Sequence, residues 1–360
     1  MVAHSESRRP IRQNFHRVFS SSVIVNFNNR KIVSQQLSAT GPNKWSLKHY
    51  GHAQLDIKTA TADSPEAQRR LGEVIMTVVG QSGIKTKNVA IGLPSNKTFI
   101  TVVDMPSLSE AELKGTIKYQ IDQYIPTAVD DAKVDWALLG QSLHDPSQQE
   151  VLLASTAASY SEEKLGFIEN LGFDVIAAEP EPIALIRSTL PDSVPSAQVI
   201  VDIGDTSTIV AITYGGAPRL VRTIPNGLST LVRAAVQNLS IEEGQAQQFI
   251  LKFGLAEDKL EGQVARSLEG ALDGFVSEVS KSIKFFQTRY PSLAVGTVHL
   301  SGYANIIPGI GQYIAAKTGT QTTGANPWLN VAIPGNDQKL AAISSEMAVA
   351  VGLAQRGNKS

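Results

Sequence analysis

The chain has 360 residues, enough for two or more domains; 42% of them are hydrophobic, 18% are charged, and the formal net charge is -1. That balance gives no electrostatic footing for a nucleic-acid partner, and the absence of cysteine excludes disulfides, thiolate metal sites and cysteine nucleophiles. No run of about 18 apolar residues occurs, so no part of the chain is expected to insert into a bilayer.

The opening residues, MVAHSESRRPIRQNFHR, contain a twin arginine but continue into further cations instead of an apolar run, so the protein reads as cytoplasmic. Residues 1–15 lack periodic apolar positions and are expected to be disordered. From residue 16 the pattern alternates as a strand meander (VIVNF, KIVSQQL, WSLKHYGHAQLD), with Asn28-Asn29 and Gly41-Pro42 as turns. His49 and His52 fall in the third strand, where they suit a solvated edge better than a zinc site. A helix over 66–81 with Leu71, Val74, Ile75 and Val78 on one stripe ends before Gly83, and the strand VAIGLP follows.

Residues 97–155 read as an inserted β-α-β-β subdomain: strand KTFITVVDMP, helix SEAELKGTIKYQIDQYI, then strands VDWALL and EVLLAST. Ser109 and Glu112 form a capping box, Leu108 and Leu113 a hydrophobic staple, and Leu113, Ile117 and Ile121 with Tyr124 or Ile125 the inner face. A helix over 161–171, strand FDVIAAEP and helical PIALIRST return the chain to the first half, 16–96 plus 156–195, which closes at Pro191 and Pro195. The second half, 196–360, opens with a hairpin and continues into a helical subdomain at about 236–292. That subdomain has a capping box at Ser240 and Glu243, a helix ending at Gly254 and a long amphipathic helix over 263–290. Strand VGTVHLSG, a helix from Pro308 to Gly319 and a last helix through MAVAVGLAQ complete it. Two α/β halves imply a cleft between them, where ligands commonly sit.

Residues 199–216, VIVDIGDTSTIVAITYGG, fold two β-branched runs around a short turn. Gly204 permits positive φ and close backbone approach. Asp205, Thr206 and Ser207 offer amide and hydroxyl donors to a phosphate, and Asp202 suits the water shell of a magnesium ion. A plain tight hairpin has the same composition, and the stretch alone does not decide between the two.

Six stretches carry a resemblance that adds weight: MPSLSEAELKGTIKYQIDQYIP, AEPEPIALIR, VDIGDTST, LSGYANIIPGIGQYIA, ANPW and AVAVGLAQR. Over nearly its whole length the chain resembles the PilM family, the actin-like cytoplasmic components of type IV pilus assembly. The resemblance implies an α/β, actin/FtsA-like fold of two ribonuclease-H-like halves with the small subdomain inserted in the first. It also implies ATP, with magnesium, between the halves, and binding of the cytoplasmic tail of a PilN-like inner-membrane protein. It puts Asp202, Gly204, Asp205, Thr206 and Ser207 in the second phosphate loop, Gly227 after the second hairpin, and Gly302 and Tyr303 in the adenosine loop. Glu179 stands at the connection that supplies a water- or metal-facing acid.

The departures from the family are informative. Its first phosphate turn, Asp-Ile-Gly-Ser-Ser-Ser, is matched to RVFSSSV, so Arg17 replaces the acid and Phe19 the glycine, leaving Ser20 and Ser21 as hydroxyl donors. A non-glycine residue in the left-handed region costs roughly 1–2 kcal/mol, and a phenyl ring obstructs close backbone approach. Arg17 can pair with a phosphate but cannot coordinate magnesium. Gly302-Tyr303 stands for Gly-Gly, and Gly227-Leu228-Ser229 for Gly-Gly-Glu. The expectation is a scaffold with weak or no nucleotide affinity, Tyr303 filling the adenine's place, and Tyr119 and Tyr124 as candidate partner contacts. Tyr124 equally continues the buried stripe. The rivals are an active ATPase or small-molecule kinase using Glu179 as base, and an FtsA-like division filament, whose amphipathic membrane helix the ending AQRGNKS does not supply. Homo-oligomerisation is left open.

Overall fold

The structure is a computed structural model that describes residues 23–26, 31–55, 64–191, 194–335 and 337–356. The expected disordered opening, Arg17, Phe19, Ser20 and Ser21 lie outside them.

The first half begins with strands β1 (Val23–Asn26), β2 (Lys31–Gly41) and β3 (Lys44–Gln54), helix α1 (Pro65–Ser82) and strand β4 (Asn88–Leu93). The β2–β3 turn carries Asn43 at φ 53, and Gly83, at φ 74, ends α1. The inserted segment supplies β5 (Thr98–Pro106), α2 (Glu110–Gln120), β6 (Ala132–Gln141) and β7 (Gln148–Ala157). Helix α2 starts on the capping box expected of its sequence, with Ser109 Oγ accepting from the Glu112 amide and Glu112 Oε2 accepting from the Ser109 amide. The chain then returns through α3 (Ala158–Asn170), β8 (Asp174–Pro180) and α4 (Glu181–Thr189).

The second half runs β9 (Ala197–Ile203), β10 (Thr208–Tyr214), β11 (Ala217–Ile224), α5 (Leu228–Leu239), α6 (Glu243–Phe253), α7 (Gln263–Arg289), β12 (Val295–Gly302), α8 (Ile310–Thr318) and β13 (Gln321–Gly324). The expected capping box at Ser240 does not form. Ser240 is instead the left-handed residue that ends α5, at φ 54, and α6 starts at Glu242 with no side-chain cap. A serine that closes one helix cannot also adopt the extended backbone that opens the next.

Strand order shows an internal repeat. In the second half it is β11-β10-β9-β12-β13, an antiparallel meander extended by two parallel strands. In the first half β2 and β3 are antiparallel, β1 lies against β2, and β4 and β8 extend β1 in parallel. The inserted sheet, β5-β7-β6, is separate and packs Val103, Met105, Val151 and Leu153 against Leu113, Ile117, Ile121 and Ile125 of the α2 side.

Three short elements were not legible in the sequence: β13, β14 (Val331–Ala332) and α9 (Gln338–Ala342). Strand β14 pairs with β3, and the last helix, α10 (Ala348–Ala354), packs on α4. Residues from 331 onward therefore return to the first half, contrary to their expected grouping with the second. The α4–α10 pair lies between the sheets, joining Val33, Leu37 and Ala90 of one half to Ile200, Ile209 and Ala211 of the other in one core. The helices approach so closely that a Cβ on Gly352 would lie 1.8 Å from the Ala184 carbonyl oxygen.

Candidate functional site

The β9–β10 turn is closed on itself. The Gly204 amide donates to the Ser207 carbonyl at 2.9 Å, and the first amides of α5 donate into the turn, Leu228 to the Gly204 carbonyl at 2.9 Å and Ser229 to the Asp205 carbonyl at 2.8 Å. Gly227 is required by this clasp, because a Cβ there would lie 2.6 Å from the Gly204 carbonyl oxygen. Gly204 itself does not adopt positive φ, contrary to expectation; the left-handed glycine of the site is Gly302, at φ 58. A Cβ at Gly302 would lie 2.4 Å from the Ile203 carbonyl oxygen.

Asp202 sits opposite Ser301 in the parallel β9–β12 register. Burial pushes its carboxyl up to about 6, against a smaller opposing pull from the Ser301 side chain. Asp205 and Ser207 are buried and Thr206 is exposed. The Tyr303 hydroxyl donates to Asp205 Oδ1 at 3.0 Å, so the loop after β12 is tied to the turn after β9. Asp202, Gly204, Asp205, Thr206, Ser207, Gly227, Gly302 and Tyr303 are thus gathered at one end of the second-half sheet.

Glu179 has a different occupation. It is 3% exposed, and both its oxygens accept from Arg187, Oε2 from Nη1 at 2.8 Å and Oε1 from Nη2. Arg187 Nη1 also donates to the Gly352 carbonyl at 2.7 Å. Burial raises the Glu179 carboxyl, but the charge and hydrogen bonds of Arg187, helped by Arg356, outweigh it and hold the group below the usual range. A depressed, doubly bonded carboxylate is a poor general base; Glu179 is a strut between β8, α4 and α10.

The chain order also corrects the first phosphate turn. In the second half the turn follows the first strand, β9; its counterpart in the first half is the β1–β2 connection, residues 27–30, Phe-Asn-Asn-Arg. Ser20 and Ser21 precede β1. Those four residues also fall outside the described set, and they supply no glycine and no acid.

A second feature lies where the inserted subdomain meets both halves. A cavity of about 270 Å³ is lined by Trp136 and Leu139 of β6, Leu93, Ile183, Pro218 and Arg356, among others, with the Glu179–Arg187 pair and Asp135 at its polar end. Desolvation raises the Asp135 carboxyl, despite its bond from the Trp136 amide and the charge of Arg356. In its sheet β6 is an edge strand, so among the described residues one row of its backbone groups has no neighbouring strand. Neither candidate tyrosine lines this cavity: Tyr119 is 85% exposed on α2, and Tyr124 is half-buried against the α2 core. Trp136 reads in sequence as one more strand aromatic, since nothing local to VDWALL says that the strand is an edge.

A family model described as type IV pilus assembly protein PilM matches residues 25–358. Among solved structures, a chain of a PilM–PilN type IV pilus biogenesis complex is similar to this one with a TM-score of 0.78 and 18% identity, covering 94% of this chain and 99% of that one. The ethanolamine utilization protein EutJ from Carboxydothermus hydrogenoformans has a TM-score of 0.54 at 14% identity over 96% of this chain and 95% of its own. MreB 5 of Spiroplasma citri, solved with AMPPNP, has a TM-score of 0.52 at 12% identity over 93% and 95%. At these identities the likeness is one of fold, and the fold is that of the actin-like ATPases.

Proposed function

The chain belongs to the PilM family of type IV pilus assembly proteins, and on that premise we propose that it is a cytoplasmic scaffold of the pilus assembly platform. It grips the cytoplasmic tail of a PilN-like inner-membrane protein and holds nucleotide weakly or not at all. Among the described residues no helix is long and apolar enough to cross a membrane, so membrane association is assigned to the partner.

The observation that carries the reading is the cleft beside β6. It combines a strand at the edge of the inserted sheet with an apolar lining that includes Trp136, Leu139, Leu93 and Ile183, an arrangement suited to an extended peptide that adds main-chain bonds and seats alternate side chains in pockets. The solved relative with its PilN partner supports the choice of occupant.

The nucleotide reading draws support from the clasp, in which the amides of Gly204, Leu228 and Ser229 are bonded to the protein and are withdrawn from a phosphate. Tyr303 and the Asp205 carboxylate, which the resemblance assigns to the two nucleotide loops, are bonded to each other. An active ATPase or kinase would also need a free base, and Glu179 is committed to Arg187. The test is co-purification with a PilN protein in detergent, with and without Mg-ATP. Equal recovery supports the static scaffold, and no recovery in either condition contradicts it.

A further inference from the structure

The inserted subdomain is joined to the first half by the chain, but it meets the second half through a charged cluster centred on a buried ion pair. Glu150 on β7 is fully buried and accepts from the Arg219 guanidinium on β11, itself 8% exposed, and from the Tyr290 hydroxyl at 2.7 Å. Beside it Asp104 on β5 accepts from Arg289 Nη2 at 2.8 Å, and the Arg289 guanidinium lies 5.5 Å from the centre of the Tyr290 ring. His144 completes the cluster, its Nε2 3.3 Å from Asp104 and its Nδ1 3.8 Å from Glu150. The ligand atoms of Asp104, His144 and Glu150 lie within 4.8 Å of one another. Both carboxylates, however, already hold a guanidinium, so the cluster is an ionic joint and not a cation site. Underneath, Ile100, Val102 and Leu152 pack against Ile183 of the first half and Val221 of the second, so the subdomain straddles the seam.

The joint adjoins the cleft on both sides. Arg219 follows Pro218 of the β10–β11 hairpin, and Glu150 lies two residues before Leu152; Pro218 and Leu152 both line the cavity. Separating a buried pair strands a charge on each side, which makes such a pair costly to open and therefore stiff. We infer that the inserted subdomain is a brace across the two halves and that the Glu150–Arg219 joint sets the width of the partner cleft. The second part rests on the cleft reading above.

The test uses the full chain, a synthetic peptide of a PilN protein's amino-terminal tail, and hydrogen–deuterium exchange. The variant E150Q should lose exchange protection in β5 and β11 and weaken peptide binding by about tenfold. The more exposed D104N should do the same to a lesser extent, and serves if E150Q does not fold. The double variant E150M/R219M, an apolar pair in place of the ionic one, should restore both protection and affinity. Unchanged affinity in E150Q with protection lost would overturn the control of cleft width, as would recovered protection without recovered affinity in the double variant. Unchanged protection in E150Q would overturn the brace. Failure of the unaltered protein to bind the peptide would instead overturn the cleft reading, leaving the brace to stand or fall on exchange alone.

Discussion

Tyr303 and Asp205, far apart in the chain, are joined by a hydrogen bond of 3.0 Å that ties the loop after β12 to the turn after β9. A nucleotide seated between those two loops would have to displace that bond. Here they are closed on each other, and Mg-ATP is expected to give no saturable rise in melting temperature. Occupancy at 100 times Kd would add about 2.7 kcal/mol, which is easily seen. Tyr303→Phe should cost about 0.5–1.5 kcal/mol in denaturant unfolding, the value of one such bond.

Asp202 makes stability depend on pH in an unusual direction. Its carboxyl is raised to about 6 by burial from an ordinary 3.8, so between about pH 4 and 6 the folded state holds a proton that the unfolded chain has released. Stability should therefore fall as pH rises through that window, by about 2 kcal/mol. Asp202→Asn should remove the slope and be more stable than the parent at pH 7, as read from urea midpoints across pH.

Glu179 has the opposite sign. Its carboxyl is held low by Arg187, so its contribution is complete above the ordinary carboxylate range and lost as pH falls through the depressed value. Arg187→Met leaves a buried carboxylate without its fork of donors and should cost about 3–5 kcal/mol. Because Arg187 also holds the Gly352 carbonyl, the loss should show as faster amide exchange in α10.

The α4–α10 crossing has no room for a methyl group. Gly352→Ala would put a carbon 1.8 Å from the Ala184 carbonyl oxygen, backbone that cannot swing aside. A loss of about 3 kcal/mol or more is expected. Gly80→Ala, where a Cβ meets nothing within 4 Å, should be stabilising by a few tenths to about 1 kcal/mol.

Partner contacts divide the aromatic residues. Trp136→Ala should weaken binding of the PilN tail peptide by about 2 kcal/mol or more, the scale of an interface hot spot, whereas Tyr119→Ala should leave it unchanged. Calorimetric titration measures both, with circular dichroism as the control for folding.

Much of this architecture is legible in the sequence where a local period or cap carries it. The α7 stripe of Val264, Leu268, Leu272, Phe275, Val279, Ile283 and Phe286 is buried throughout, and the Ser109–Glu112 box forms as its spacing requires. What the sequence conceals is set by distant partners. The turn at Gly204 offers a glycine free to take positive φ, yet positive φ falls on Gly302, and Gly227, in extended backbone, is required for close approach; the neighbours of both come from elsewhere in the chain. Ser240 carries the composition of a helix start and serves as a helix end, because its left-handed backbone closes α5. Glu179 reads as a catalytic acid until Arg187, two turns along α4, is seen to grip it. The Glu150–Arg219 pair joins residues with no sequence relation at all.

The most direct test of the scaffold account is a calorimetric titration of the PilN tail peptide into the full chain, run with and without saturating Mg-ATP. The account predicts the same affinity in both, because a chain that holds nucleotide weakly or not at all gives Mg-ATP nothing with which to shift the partner site. Binding that appears only with nucleotide, or that changes about tenfold on its addition, would contradict it.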